Sequence, residues 1–158
     1  MTTGKIRFAQ IKKITLKWER DFKEFYKGCL MPRLMRNTDA TYFAAYFNDI
    51  LVGHSALVRE NGKWILEGLR VRPEFREKGI GKKLTEIRVN CAISQKAKSV
   101  WYLARDKNLV SICCHMKLGF QKHCGDKPDC KITDVVWYKL DLTPEFIESF
   151  SKKNLQKV

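Results

Sequence analysis

The amino-acid sequence predicts an α/β (α+β) domain built on a mixed, mostly antiparallel sheet of six to seven strands with helices on both faces. Three observations carry this expectation. Residues 42–71 hold three aromatic and β-branched runs separated by short polar turns, which reads as an antiparallel meander. Residues 80–96 place Ile80, Leu84, Ile87 and Cys91 on one stripe of a helix, and a strand candidate at 99–104 follows. A strand, a crossover helix and a further strand make the two strands parallel neighbours.

The remaining elements follow in chain order. Residues 6–9 form a short strand candidate. Leu16, Trp18, Phe22, Phe25 and Tyr26 have helical spacing, and Gly28 can end that helix. Pro32 suits a first turn, so a second short helix is expected over 32–36, before the break at Asn37, Thr38 and Asp39. The hairpin 42–47 and 51–58 turns at Asn48-Asp49, and the turn 60–63 leads to the strand 64–71. After the strand 99–104 and the polar run 105–108, Leu109, Ile112, Cys113 and Met116 mark a helix that stops at Gly119. Residues 121–124 and 135–142 close the sheet as a last hairpin around the turn 125–128. From Pro144 the tail reads as a short amphipathic helix carrying Phe146, Ile147 and Phe150.

Composition bounds the function. At 158 residues the chain fits one domain over 1–158, with 44% hydrophobic content ordinary for a globular protein. No apolar run reaches about 18 residues, and Lys5, Arg7 and Gln10 interrupt any apolar leader, so a cytoplasmic location without a membrane partner is expected. The net charge of +14 suits an anionic ligand or a nucleic acid. Because the Lys and Arg residues are spread along the chain and mixed with acids, a generally basic surface is favoured over a nucleic-acid face. The six cysteines are expected to be reduced thiols. His123, Cys124 and Cys130 offer at most three clustered ligands without a CxxC pair, so no metal is expected.

The chemistry concentrates in residues 66–83. A strand, a turn at Pro73, the glycine-containing loop Arg76-Glu77-Lys78-Gly79-Ile80-Gly81 and a helix start form a phosphate cradle. The first helical NH groups have no internal partners and carry the positive end of the dipole. Gly79 and Gly81 let the backbone approach a pyrophosphate, and Arg76, Lys78, Lys82 and Lys83 add charge. A helix start with a solvated basic turn is the simpler alternative.

Two motifs together carry a family resemblance. Arg76 to Gly81 matches an [R/Q]xxGx[G/A] loop, and Asn108, Ser111, Cys114, His115, Lys117, Gly119 and Phe120 follow an NxxAxxLYxKxGF pattern. With both, the chain resembles the GNAT superfamily of acetyl-CoA-dependent N-acetyltransferases over roughly residues 41–140. The resemblance implies a splayed central parallel strand pair and acetyl-CoA as cosubstrate. It implies cofactor contacts from Leu69, Arg70 and Val71 on the strand, from Arg76, Glu77, Lys78, Gly79, Ile80, Gly81 and Lys82 at the loop, and from Asn108 and Ser111 on the later helix. It implies direct acetyl transfer to the primary amine of a small-molecule, amino-acid-like or peptide acceptor, with a backbone NH of the strand polarising the thioester carbonyl.

Two positions need weighing. His115 and Cys114 stand where the family usually has Tyr and Leu, so His115 is the candidate general acid, with a structural role as the alternative. Glu67 is the candidate base. Alternation places it on the face of Leu69 and Val71, and a salt-bridged structural glutamate is the alternative. His54 reads as a sheet histidine and Asn108 also as a helix cap. A non-catalytic coenzyme A sensor is the second function; a basic nucleic-acid-binding protein is the third. Homodimer formation stays open.

Overall fold

The computed structural model describes residues 4–36, 39–105, 108–123 and 135–155. The elements are β1 (Ile6–Ile11), α1 (Leu16–Phe25), β2 (Ala40–Phe47), β3 (Ile50–Glu60), β4 (Lys63–Val71), α2 (Ile80–Ser94), β5 (Ser99–Arg105), α3 (Leu109–Leu118), β6 (Gln121–His123), β7 (Val135–Asp141) and α4 (Pro144–Leu155). Seven strands form one sheet in the order β1-β2-β3-β4-β5-β7-β6. All neighbours are antiparallel except β4 and β5.

Local chemistry explains the meander. Asn48 and Asp49 adopt φ of 46° and 65°, and Asn61 and Gly62 adopt 49° and 76°. Paired left-handed residues make two-residue turns whose twist matches the strands they join. Thr15 caps α1 by accepting the Trp18 amide at 3.1 Å, and Trp18, Phe22 and Phe25 then form its buried stripe.

β2 and β3 are covered on both sides. Phe43, Ala45, Val52 and Leu57 join a core with α2, α3 and α4, whereas Tyr42, Ala44, Tyr46 and Ala56 join a second core with α1. Helices therefore lie on both faces of the sheet.

Two expectations change. Residues 32–36 are not helical: the Met35 amide donates to the Tyr42 hydroxyl at 3.0 Å instead of to a carbonyl one turn earlier. So short a helix would gain too few internal bonds to repay its nucleation. Asn37 and Thr38, the turn 125–128, Cys124 and Cys130 lie outside the described residues. The final hairpin forms as expected, with β7 between β5 and β6.

Parity along β4 is the second change. His54 and Ala56, two apart on β3, pair with Arg70 and Glu67, three apart on β4. The extra residue is a bulge at Gly68, which takes φ of 63°. Glu67 therefore does not share a face with Leu69 and Val71. It pairs with Ala56 and lies on the α1 side, while Val71 packs into the α2 side.

Candidate functional site

β4 and β5 share ladder pairs at Ile65–Trp101 and Leu66–Tyr102, and beyond these the two strands share none. The bulge at Gly68 falls just past the last pair, so the strands part there. A cavity of about 950 Å³ opens at the gap. Leu69, Arg70 and Val71 line it from β4, Gly81 and Lys82 from α2, and Arg76 from the preceding loop. Asn108, Ser111 and His115 line it from α3. These nine were expected at the site, and one space joins them.

Four expected loop residues do not line the cavity with them. Ile80 is 3% exposed and belongs to the core, and the Lys78 ammonium lies 5.3 Å from the Phe75 ring centre. Glu77 and Gly79 set the backbone, with φ of 61° and 79°. A Cβ at Gly79 would meet nothing, so glycine there answers a conformational need. A Cβ at Gly81 would lie 3.8 Å from Leu69, at the cavity wall.

The charge around the cavity suits an extended anionic ligand. Arg76, Lys82, Lys117 and Lys153 surround it, and the Arg76 Nε–H donates to the Val71 carbonyl at 3.1 Å. Asn108 is also the α3 cap, its Oδ1 accepting the Ser111 amide at 3.4 Å, so both of its readings coexist.

His115 is 4% exposed and stacks on Tyr102 with ring centres 3.8 Å apart. Its Nδ1 lies 2.7 Å from the Ser111 carbonyl, which can only accept, so Nδ1 carries the proton. Burial lowers its pKa to about 4, which leaves Nε2 as a lone pair. That buried nitrogen has no hydrogen-bond partner among the described residues, nor does the Asn154 amide nitrogen that lines the same cavity. In this arrangement Nδ1–H is engaged by the Ser111 carbonyl and Nε2 is left as an acceptor.

Glu67, the other expected catalytic residue, lies on the α1 side of β4 and does not line the cavity. Burial raises its pKa, with Glu60 acting in the same direction. Nearby on this face, the Arg70 guanidinium lies 5.5 Å from the Tyr26 ring centre, and the Tyr26 hydroxyl is 2.6 Å from His54 Nε2. His54 is 2% exposed inside the aromatic core, and burial lowers its pKa to about 4. It is a core histidine.

Two residues escaped the sequence reading. Arg88, 1% exposed, donates through Nη1 to the Ala56 and Glu67 carbonyls at 3.3 Å each and through Nη2 to the Thr85 hydroxyl at 3.0 Å. It ties α2 to the edge of the bulge. A signal existed: Arg88 stands four residues from both Leu84 and Ala92, on the buried stripe. Tyr102, whose hydroxyl pairs with that of Ser111, had none. Among the described residues no group of three His, Cys, Asp or Glu side chains could hold a metal ion, and no helix is long and apolar enough to cross a membrane.

A family model described as Acetyltransferase (GNAT) family matches residues 11–120. No curated protein matches the chain. Solved structures with the same fold include the ribosomal-protein-S18-alanine N-acetyltransferase of Escherichia coli, 13% identical with a TM-score of 0.69 over 88% of this chain and 95% of that one. A GNAT-family acetyltransferase from Staphylococcus aureus is 18% identical, with a TM-score of 0.65 over 88% and 100%. A Bacillus anthracis protein described as a streptothricin acetyltransferase, in complex with acetyl coenzyme A, is 16% identical, with a TM-score of 0.58 over 74% and 68%.

Proposed function

The chain belongs to the acetyltransferase (GNAT) family of acyltransferases, and from that premise we propose that it transfers an acetyl group from acetyl-CoA directly to the primary amine of a small, amino-acid-like acceptor. The observation that carries this is the parting of β4 and β5 directly above a cavity that begins at the α2 N-terminus. The pyrophosphate lies against that helix start, between Arg76 and Lys82. The pantetheine arm pairs with the freed edge of β4, and the thioester reaches the bulge.

Coenzyme A fits on chemical grounds. It brings phosphates to a basic rim and amide and hydroxyl groups to a wall with two unpartnered buried polar atoms. The acceptor approaches from the α1 side, where Glu67 takes its proton. A base of raised pKa is better matched to an amine than an ordinary surface glutamate. The backbone at the bulge, held from behind by Arg88, orients the thioester carbonyl.

Isothermal titration with acetyl-CoA tests the first half of this reading, and micromolar binding is expected. A thiol-release assay across amines tests the second. Binding without turnover on any amine would convert the protein into a coenzyme A sensor, and no binding would end the proposal.

A further inference from the structure

Collapse of a thioester needs a proton for the departing sulfur, and the ring at the motif position does not offer one. His115 Nδ1–H is directed at the Ser111 carbonyl, and Nε2 is a lone pair. Thr85 also lines the cavity, but its hydroxyl gives its hydrogen to the Gly81 carbonyl at 2.9 Å. Ser111 is different. Ser111 lines the cavity, and its hydroxyl is hydrogen-bonded to the Tyr102 hydroxyl.

Two hydroxyls in one bond have two hydrogens, and only one lies between them. A phenol is the stronger acid, so Tyr102 donates and the Ser111 hydrogen is free to turn into the cavity. Tyr102 is also the β5 member of the last ladder pair before the strands part, so the hydroxyl pair stands at the base of the gap. Its ring is held flat against His115.

We propose that Ser111 is the catalytic proton donor to the leaving sulfur, with Tyr102 as the positioning residue that resupplies it. This rests on reading the cavity as the acetyl-CoA site. As the carbonyl carbon–sulfur bond breaks, its electron pair goes to sulfur. Sulfur takes the Ser111 proton, Ser111 takes that of Tyr102, and solvent returns one to Tyr102. The amine nitrogen loses its own proton to Glu67, so one proton leaves nitrogen and one arrives at sulfur. Burial holds Tyr102 in its protonated form, while the Ser111 bond and the Arg88 charge ease the loss of that proton. A tyrosine from β5, acting through a serine, thus performs the work that a tyrosine at position 115 would otherwise do.

The test compares Tyr102→Phe, Ser111→Ala and Ser111→Thr with wild type. Phe keeps the stacking surface and removes only the hydroxyl. We expect kcat to fall about 100-fold in Tyr102→Phe and Ser111→Ala, with the KM for acetyl-CoA within twofold and partial recovery in Ser111→Thr. Thiolate absorbance of bound coenzyme A, titrated with pH, is expected to move to higher pH in both damaged variants, which a merely structural loss would not produce. Normal kcat in both, or a rise in KM alone, overturns the relay and leaves the acetyl-CoA reading intact. Failure of wild type to bind acetyl-CoA overturns both.

Discussion

A carboxylate serves as a base only when ionised, and Glu67 sits where burial resists ionisation, with Glu60 adding to the effect. The rate with amine is therefore expected to fall as pH drops through a value above the ordinary glutamate range. Glu60→Gln should move that acid limb to lower pH, as a pH–rate profile would show. Glu67→Gln keeps the shape and removes the basicity, so kcat is expected to drop about 100-fold with the acetyl-CoA KM unchanged. A full-rate variant would assign the proton to water. At the cavity wall, Gly81→Leu should weaken acetyl-CoA at least about tenfold in titration, because one pocket-filling side chain is worth more than 1.4 kcal/mol of lost contact. The place of Gly81 at the cavity wall was legible from a glycine in a basic loop before a helix. The state of His115 was not, because it depends on burial and on a carbonyl one turn back, neither of which a motif encodes.

Elements respond to constraints that residue patterns understate. The alternation rule put Glu67 beside Leu69 and Val71, and one residue in the left-handed region, Gly68, reversed it. That bulge sets Glu67 on the α1 side of the sheet and Val71 on the α2 side, just past the point where β4 and β5 part. An isolated glycine in a strand was the only trace in the sequence. The short helix expected from Pro32 failed for a similar reason, because Met35 found a partner on β2. Arg88 links α2 to the bulge through the Ala56 and Glu67 carbonyls. Arg88→Ala should leave those acceptors unsatisfied and cost about 2–4 kcal/mol in urea unfolding. It should also weaken acetyl-CoA binding, because the cofactor's strand edge loses its support. Loss of stability without loss of affinity would confine Arg88 to packing.

At the scale of the whole molecule, the sheet and its two cores were readable, since the turns, the apolar runs and the crossover order fix a meander followed by a parallel pair. Which polar groups those cores enclose was not. Each face buries a neutral histidine, His54 beneath α1 and His115 beneath the cavity, and burial holds both pKa values near 4. In the unfolded chain a histidine titrates near about 6.5. The folded values are depressed, so their contribution to stability is complete above about pH 6.5 and is lost as pH falls towards about 4, because only the unfolded chain takes up the protons. A gap of this size corresponds to about 3 kcal/mol for each histidine, a large share of an ordinary domain's stability. Glu67 works in the opposite direction: its raised pKa favours the folded state when it is protonated, which offsets part of the loss at the acid end. The midpoint of urea unfolding is therefore expected to fall steeply between about pH 6.5 and 4.5 while changing little between about pH 7 and 8. His54→Phe removes one of the two titrations, so it should halve that slope even though losing the Tyr26 bond lowers stability at neutral pH. A variant with an undiminished slope would show that His54 takes up its proton in the folded state, and that the α1 core opens to water before the molecule unfolds.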